Sequence, residues 1–247
     1  MNPGLTIATM RRVLAQLRAD PRSVALILLV PLGLMVLLYY LYSGDPGREQ
    51  LFHMIATVMV AVFPLTLMFS ITSVTMQRER AGGTLERLWT TRIHRIDLIL
   101  GYALAFGLMV VAQAIPLFIL SRHILDVDSE APWWITLLIS VATGLIGVAL
   151  GLLSSAFART EFQAVQSLSL LIIPQVLLCG LLVPREEMHQ VLQGISDLMP
   201  LSYSVDAALV SSREGATAEV LTKTLICLGF VAAFLGLAAA TMPRRAH

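Results

Sequence analysis

Charge is scarce in this chain. Of its 247 residues only 13% are Asp, Glu, Lys or Arg, while 57% are hydrophobic. A soluble domain carries about 25% charged residues, so a surface made to face water on all sides is excluded. Lysine is nearly absent. The one example, Lys223, follows Thr222 in an apolar run. A P-loop needs a Gly-Lys pair to wrap and charge-match phosphates, and this sequence has none, so no nucleotide binding of that kind is expected and Lys223 is given no role. Cysteine is equally thin: Cys179 and Cys227 both fall in apolar runs and read as small apolar fillers rather than a disulfide or metal pair. His53, His94, His123, His189 and His247 are scattered without ligand spacing and read as solvated side chains. An intramembrane serine protease would need a Gly-x-Ser-Gly type serine with a histidine in an apolar run, and Ser154-Ser155 lacks that context. Acidic residues also avoid the middle of every apolar run, with Asp97 and Glu219 at or near ends. Proton- or sodium-coupled transport usually places an acid at mid-membrane, so ion coupling is disfavoured. A path lined by apolar and uncharged polar groups suits hydrophobic or amphipathic cargo.

What is abundant is hydrophobic length. Six runs, at about 24–42, 54–76, 97–120, 132–155, 164–183 and 220–242, are each near the roughly 20 residues that cross a 30 Å hydrocarbon core as a helix. The expectation is an all-α integral membrane protein, one transmembrane domain over 1–247. The first run is long and lacks a small-residue cleavage site, so no removable signal peptide is expected.

The distribution of the few charges orients the chain. Arg78, Arg80, Arg87, Arg92 and Arg95 cluster between the apolar segments Met54–Met76 and Asp97–Leu120. Arginine clusters of this kind stay on the cytoplasmic side. With both termini there as well, the inner segments hold twelve of the 17 basic residues and the outer segments eleven of the 16 acidic ones. An inner (cell) membrane location, multi-pass, follows.

Within the island, Thr84 can cap a short helix on which Leu85 and Leu88-Trp89 lie three to four apart while Glu86 and Arg87 point elsewhere. An amphipathic helix held between two spans is a docking surface for lipid headgroups or for a soluble partner. Residues 5–18 form a second such element: Ile7, Met10, Val13, Leu14 and Leu17 recur at helical spacing, with Arg11, Arg12 and Arg18 on the other side. They predict an interfacial helix anchored on the inner surface, ended by Asp20-Pro21, which also starts the next helix. Tyr39, Tyr40 and Tyr42 form an aromatic belt at the outer interface, and Trp133-Trp134 a second one. The second span carries a polar row, Thr66, Ser70, Ser73 and Gln77, read as groups satisfied by neighbouring backbone. Gly147, Gly151 and Ser155, with Gly144 nearby, allow close helix approach within the subunit. Between the fifth and sixth spans, Pro184 opens an amphipathic stretch and Pro200 starts another short helix. Both are read as outer helices dipping into the leaflet.

The run Glu79-Arg80-Ala81-Gly82-Gly83-Thr84-Leu85-Glu86-Arg87-Leu88, followed at Gly101 by the next long span, resembles the cytoplasmic loop of type-2 ABC exporter permeases, a family that includes drug-resistance and polysaccharide- or lipid-export membrane subunits. Pro200-Leu201-Ser202-Tyr203-Ser204-Val205-Asp206-Ala207 is similar to a run closing that family's re-entrant pair. The family often has a basic residue just after it; here Leu209-Val210 stand there and Arg213 comes later. The layout matches over nearly the whole chain, the specific motifs over 79–101 and 200–207. The resemblance implies a dimer of permeases, identical or not, working on two separate cytoplasmic ABC ATPase chains. Those chains hold ATP and Mg, so this chain is no enzyme and binds no cofactor. It implies further that the interfacial helix touches the ATPase and that residues 80–90 form the coupling helix. The expected docking residues are Glu79, Arg80, Thr84, Leu85, Glu86, Arg87, Leu88 and Trp89. By the same analogy spans two and five border the substrate path, with Phe63, Thr66, Phe69, Pro174, Gln175 and Leu178 as candidates. No nucleic-acid partner is expected. A second reading from a different class stays open: a non-transporting membrane scaffold, or an immunity or assembly protein, recruiting a soluble partner through residues 78–95.

Overall fold

The computed structural model describes residues 2–43, 46–84, 88, 94–127, 132–211 and 217–241. Among them every regular element is helical. Helix α1 (Pro3–Ala19) begins with Pro3 in its first turn and the Asn2 side chain accepting the Gly4 N–H, two standard start signals. Asp20 ends it and caps α2 (Pro21–Tyr42): the carboxylate takes the Ser23 N–H at 3.2 Å and its hydroxyl at 2.6 Å. Those hydrogen bonds hold the Asp20 carboxyl below its ordinary pKa. A short 3₁₀ turn (Pro46–Arg48) leads into α3 (Glu49–Ala81). After it come α4 (Arg95–Ile119) with a π-helical turn (Leu120–Ile124), α5 (Trp133–Ser155), α6 (Glu161–Leu171) and α7 (Ile173–Leu178). A 3₁₀ turn (Arg185–Glu187), α8 (Gln190–Asp197), α9 (Pro200–Val210) and α10 (Thr217–Thr241) complete the order.

Six of these units are long and apolar enough to cross a membrane: α2, α3, α4 with its π turn, α5, α6 with α7, and α10. The protein is thus an all-helical, multi-pass membrane protein. Two spans differ from their expected extent. At 33 residues, α3 is about 50 Å long, against a hydrocarbon core of about 30 Å. It therefore carries Gln77–Ala81 out of the membrane as rigid helix before Gly82 ends it. The fifth span, expected as one run over 164–183, is broken at Ile172 and stops at Leu178. Pro174 lacks the N–H that would continue the ladder, and Gly180 turns the chain with φ +95°.

The bundle is centred on α3 and α5, and the glycines explain why. A Cβ on Gly147 would lie 2.3 Å from the Leu65 carbonyl oxygen, and one on Gly151 2.7 Å from that of Phe69. Two helix backbones touch here, as small-residue spacing permits in a membrane. This use lies inside the subunit, as the sequence indicated. Phe69, Leu65, Ile146 and Leu201 fill the adjoining core. Cys179 and Cys227 are both buried, free thiols. The polar row of α3 is only half accounted for by backbone. Thr66 and Ser70 donate to the carbonyls one turn back, whereas Ser73 Oγ and Gln77 Oε1 are buried without a hydrogen-bond partner among the described residues.

Helix α1 is part of this bundle. A Cβ on Gly101 of α4 would lie 2.5 Å from the Thr9 Cβ, so the two helices pack backbone to side chain. Thr6, Thr9, Val13 and Leu17 form the buried stripe. Ile7, expected on the apolar face turned to the membrane, is 44% exposed outside that stripe.

Candidate functional site

Three elements far apart in sequence meet at the end of the bundle that bears the arginine island: α1, the last turns of α3 and the first turns of α4. Their meeting point is a buried charge. Glu79 is 6% exposed, and both its oxygens receive Arg12 Nη1 at 3.0 Å. Gln16 Nε2 adds a third hydrogen bond at 2.7 Å. Arg12 Nη2 donates to the Tyr102 hydroxyl at 2.6 Å, and its guanidinium lies 5.6 Å from the centre of that ring. Burial alone would lower the Arg12 guanidinium, yet Tyr102 and Glu79 together outweigh it and hold it above its ordinary pKa. Removing a carboxylate from water is costly unless donors of this kind surround it.

A second buried acid lies close by. Asp97, fully buried at the start of α4, accepts the Asn2 backbone N–H at 3.0 Å and lies 3.5 Å from His94 Nδ1. Both ends of α1 are thereby tied to the segments flanking the island. Arg78 reaches across to Glu161 at the start of α6, 3.1 Å away. This pair is exposed on both sides and adds position more than energy.

The expected docking residues therefore have distinct places. Glu79 lies inside the fold, engaged by Arg12 and Gln16. Arg80 is partly buried, and Thr84 is partly buried beyond Gly83, whose φ is +68°. Leu88 packs against the core formed by Val13, Leu17, Met76 and Leu98, so it seats the island on its own bundle. Leu85, Glu86, Arg87 and Trp89 lie outside the described residues. On α1, Arg12 departs from the sequence reading: it turns inward to Glu79 while Arg11 and Arg18 remain exposed.

The six expected path residues have distinct packing environments among the described residues. Phe63 packs toward α2 with Met35 and Val60, whereas Phe69 is fully buried in the core around α5. Thr66 is partly buried with its hydroxyl on Val62. Gln175 is a structural bridge: Nε2 donates to the Leu171 carbonyl at 2.8 Å, and Oε1 accepts the Leu201 N–H at 3.4 Å. The Leu178 carbonyl accepts the Ser196 hydroxyl at 2.8 Å. Pro174 marks the helix break.

At the opposite end of the bundle, the segment between α7 and α10 is held by a second charge cluster. Asp206, in the run that resembles the exporter motif, pairs with Arg185 and with Lys223 of α10, the latter at 3.4 Å. Arg185 also pairs with Asp197 and lies 5.7 Å from the Tyr203 ring centre. Lys223 also lies 3.5 Å from Glu219. Asp206 thus takes its basic partners from two other elements, and Lys223 has a place that its apolar surroundings concealed. Neither cluster was reached by sequence reasoning. The available signals were a glutamate just past a hydrophobic run and a single lysine inside one.

Comparison with known proteins is consistent with this layout. The profile of the ABC-2 type transporter family matches residues 4–211. ABC transporter G family member 20 of Dictyostelium discoideum is 24% identical over 164 residues, 66% of this chain and 22% of that protein. The probable multidrug ABC transporter permease YbhR of Escherichia coli (strain K12) is 26% identical over 204 residues, 81% of this chain and 54% of its own length. The inner membrane transport permease YhhJ of the same organism is 28% identical over 181 residues, 69% of this chain and 46% of its own. The chain spans about half the length, or less, of these relatives.

Proposed function

The chain belongs to the ABC-2 type transporter family, and on that premise we propose that it is the membrane-spanning subunit of an ATP-driven exporter. Two permease chains work with two copies of a separate cytoplasmic ATPase, which alone binds ATP and Mg. The arginine island and both termini face the cytoplasm, as the positive-inside rule requires. The cargo is hydrophobic or amphipathic, drug-like or lipid-like, in keeping with the absence of mid-span acids and with the names borne by the bacterial relatives.

The observation that carries this reading is the clamp at Glu79. A docking helix transmits force only if it is fixed to the spans it moves. The rigid exit of α3, the Arg12–Glu79–Gln16–Tyr102 network and Leu88 on the core fix the base of the island to α1, α3 and α4. Glu79 acts through Arg12, within the chain, and the contacts proposed with the ATPase are Glu86 and Arg87 for polar pairing and Leu85 and Trp89 for seating. ATPase closure then shifts the island and the spans as one body.

The test is Glu86→Arg, read by recovery of the ATPase on the tagged chain and by export in cells. Reversal of a charge at a desolvated interface costs about 2–5 kcal/mol. Normal expression with loss of both ATPase recovery and export is expected. Normal export by this variant would remove Glu86 from the docking surface.

A further inference from the structure

A groove of about 900 Å³ runs along the outside of α1 where it meets α2 and α4. It is within the size range of small-molecule and cofactor sites. Leu14, Leu17, Val24 and Met109 form much of its apolar lining, and Arg11 and Arg18 are its only charged residues among the described ones. Neither arginine has a hydrogen-bond or ion-pair partner among the described residues, in contrast to Arg12 one position away. Seven residues apart on one helix, they share a face and are separated by about 10 Å along its axis. Met109 is 14 residues into α4, about 21 Å along that span. The groove joins two arginines of α1 to the apolar sides of α2 and α4, both long and apolar enough to cross a membrane.

We propose that this groove is a binding site for one anionic phospholipid, its phosphate held by Arg11 and Arg18 and an acyl chain lying against Leu14, Val24 and Met109. Charge complementarity selects the headgroup: two guanidiniums with neither a partner nor an acid in the lining among the described residues attract a phosphate and repel a cation. The lining selects the remainder. A peptide would bring backbone N–H and C=O groups that the apolar wall cannot satisfy, at a cost an acyl chain does not incur. The inference concerns a specific site, beyond general anchoring of an amphipathic helix, and is independent of the direction of transport.

The site is tested with the full chain in phosphatidylcholine vesicles carrying a trace of phosphatidylglycerol with a photoactivatable acyl chain. The same acyl chain on phosphatidylcholine serves as comparison. Labelled peptides are mapped after irradiation. The glycerol lipid is expected to label peptides containing Leu14, Val24 and Met109 more strongly than the choline lipid. At about fivefold per arginine, the preference should be on the order of 25-fold. Arg11→Gln with Arg18→Gln should bring labelling down to the choline level, while Arg11→Lys with Arg18→Lys should keep most of it. Equal labelling by the two lipids, an unchanged pattern in the double glutamine variant, or no labelling of these peptides would each overturn the proposal. Both leaflets carry the probe, so the outcome does not depend on orientation, and failure here leaves the transport assignment untouched.

Discussion

Arg12 and Glu79 form the contact on which the island's base depends, and its energetics can be stated. Breaking a buried ion pair by removing one partner costs about 3–5 kcal/mol, because the remaining charge is stranded. Arg12 keeps 28% of its side chain exposed, so Arg12→Ala should fall lower, about 2–3 kcal/mol. Glu79→Gln removes the charge but keeps an acceptor, and should cost less. Unfolding in detergent checks both, and a double-mutant cycle should return a coupling of about 1–3 kcal/mol. A coupling near zero would mean that the two side chains act independently. None of this was legible in sequence. The partners lie 67 and 90 residues from Arg12, and the periodicity of α1 placed Arg12 with Arg11 and Arg18. The apolar stripe is the weaker guide on a helix that packs against two others, because small polar residues such as Thr6 and Thr9 permit the closest approach.

Among the elements, α3 and α5 determine the shape of the bundle through their glycines. Gly147→Ala places a methyl within 2.3 Å of a backbone oxygen, which no rotamer change relieves. It should destabilise the protein by about 1–3 kcal/mol or more. Gly229→Ala in α10 meets nothing within 4 Å and should be neutral or stabilising, since alanine is the better helix former. Thermal unfolding of both variants checks the contrast. The segment between α7 and α10 gives a second prediction. Lys223→Ala leaves Asp206 with Arg185 and should loosen the segment modestly, whereas Arg185→Ala removes contacts to Asp206, Asp197 and the Tyr203 ring together. Protease sensitivity across 184–206 should rise more for Arg185→Ala. The existence of the six spans was readable because about 20 apolar residues in a row have no other stable use. The break in the fifth was not, because Pro174 is one of several span prolines. Pro31, Pro64 and Pro116 sit inside continuous helices; only at Pro174 does a turn at Gly180 follow at once.

At the scale of the molecule, charge sorts the two ends of the bundle. A cysteine in place of Asp128 should react with an impermeant reagent added outside intact cells, and one in place of Gly83 should not. Outside labelling at position 83 would invert every element. The island is also where sequence and fold supply different halves of the account. The motif resemblance marks residues 80–90 as a docking element, and the structure supplies its base: α1 clamped across α3 and α4, with Leu88 seated on the shared core.

The central claim, that this base couples a partner's ATP hydrolysis to movement across the bundle, is tested most directly by flux. The tagged chain is recovered with its ATPase from native membranes and reconstituted into vesicles loaded with Mg-ATP on the island side only. A fluorescent amphipathic cation is then followed across the membrane. The account predicts ATP-dependent movement away from the island side, lost in Glu86→Arg and sharply reduced in Arg12→Ala at equal incorporation. An intact, ATP-hydrolysing complex that moves neither this probe nor a labelled lipid would contradict it.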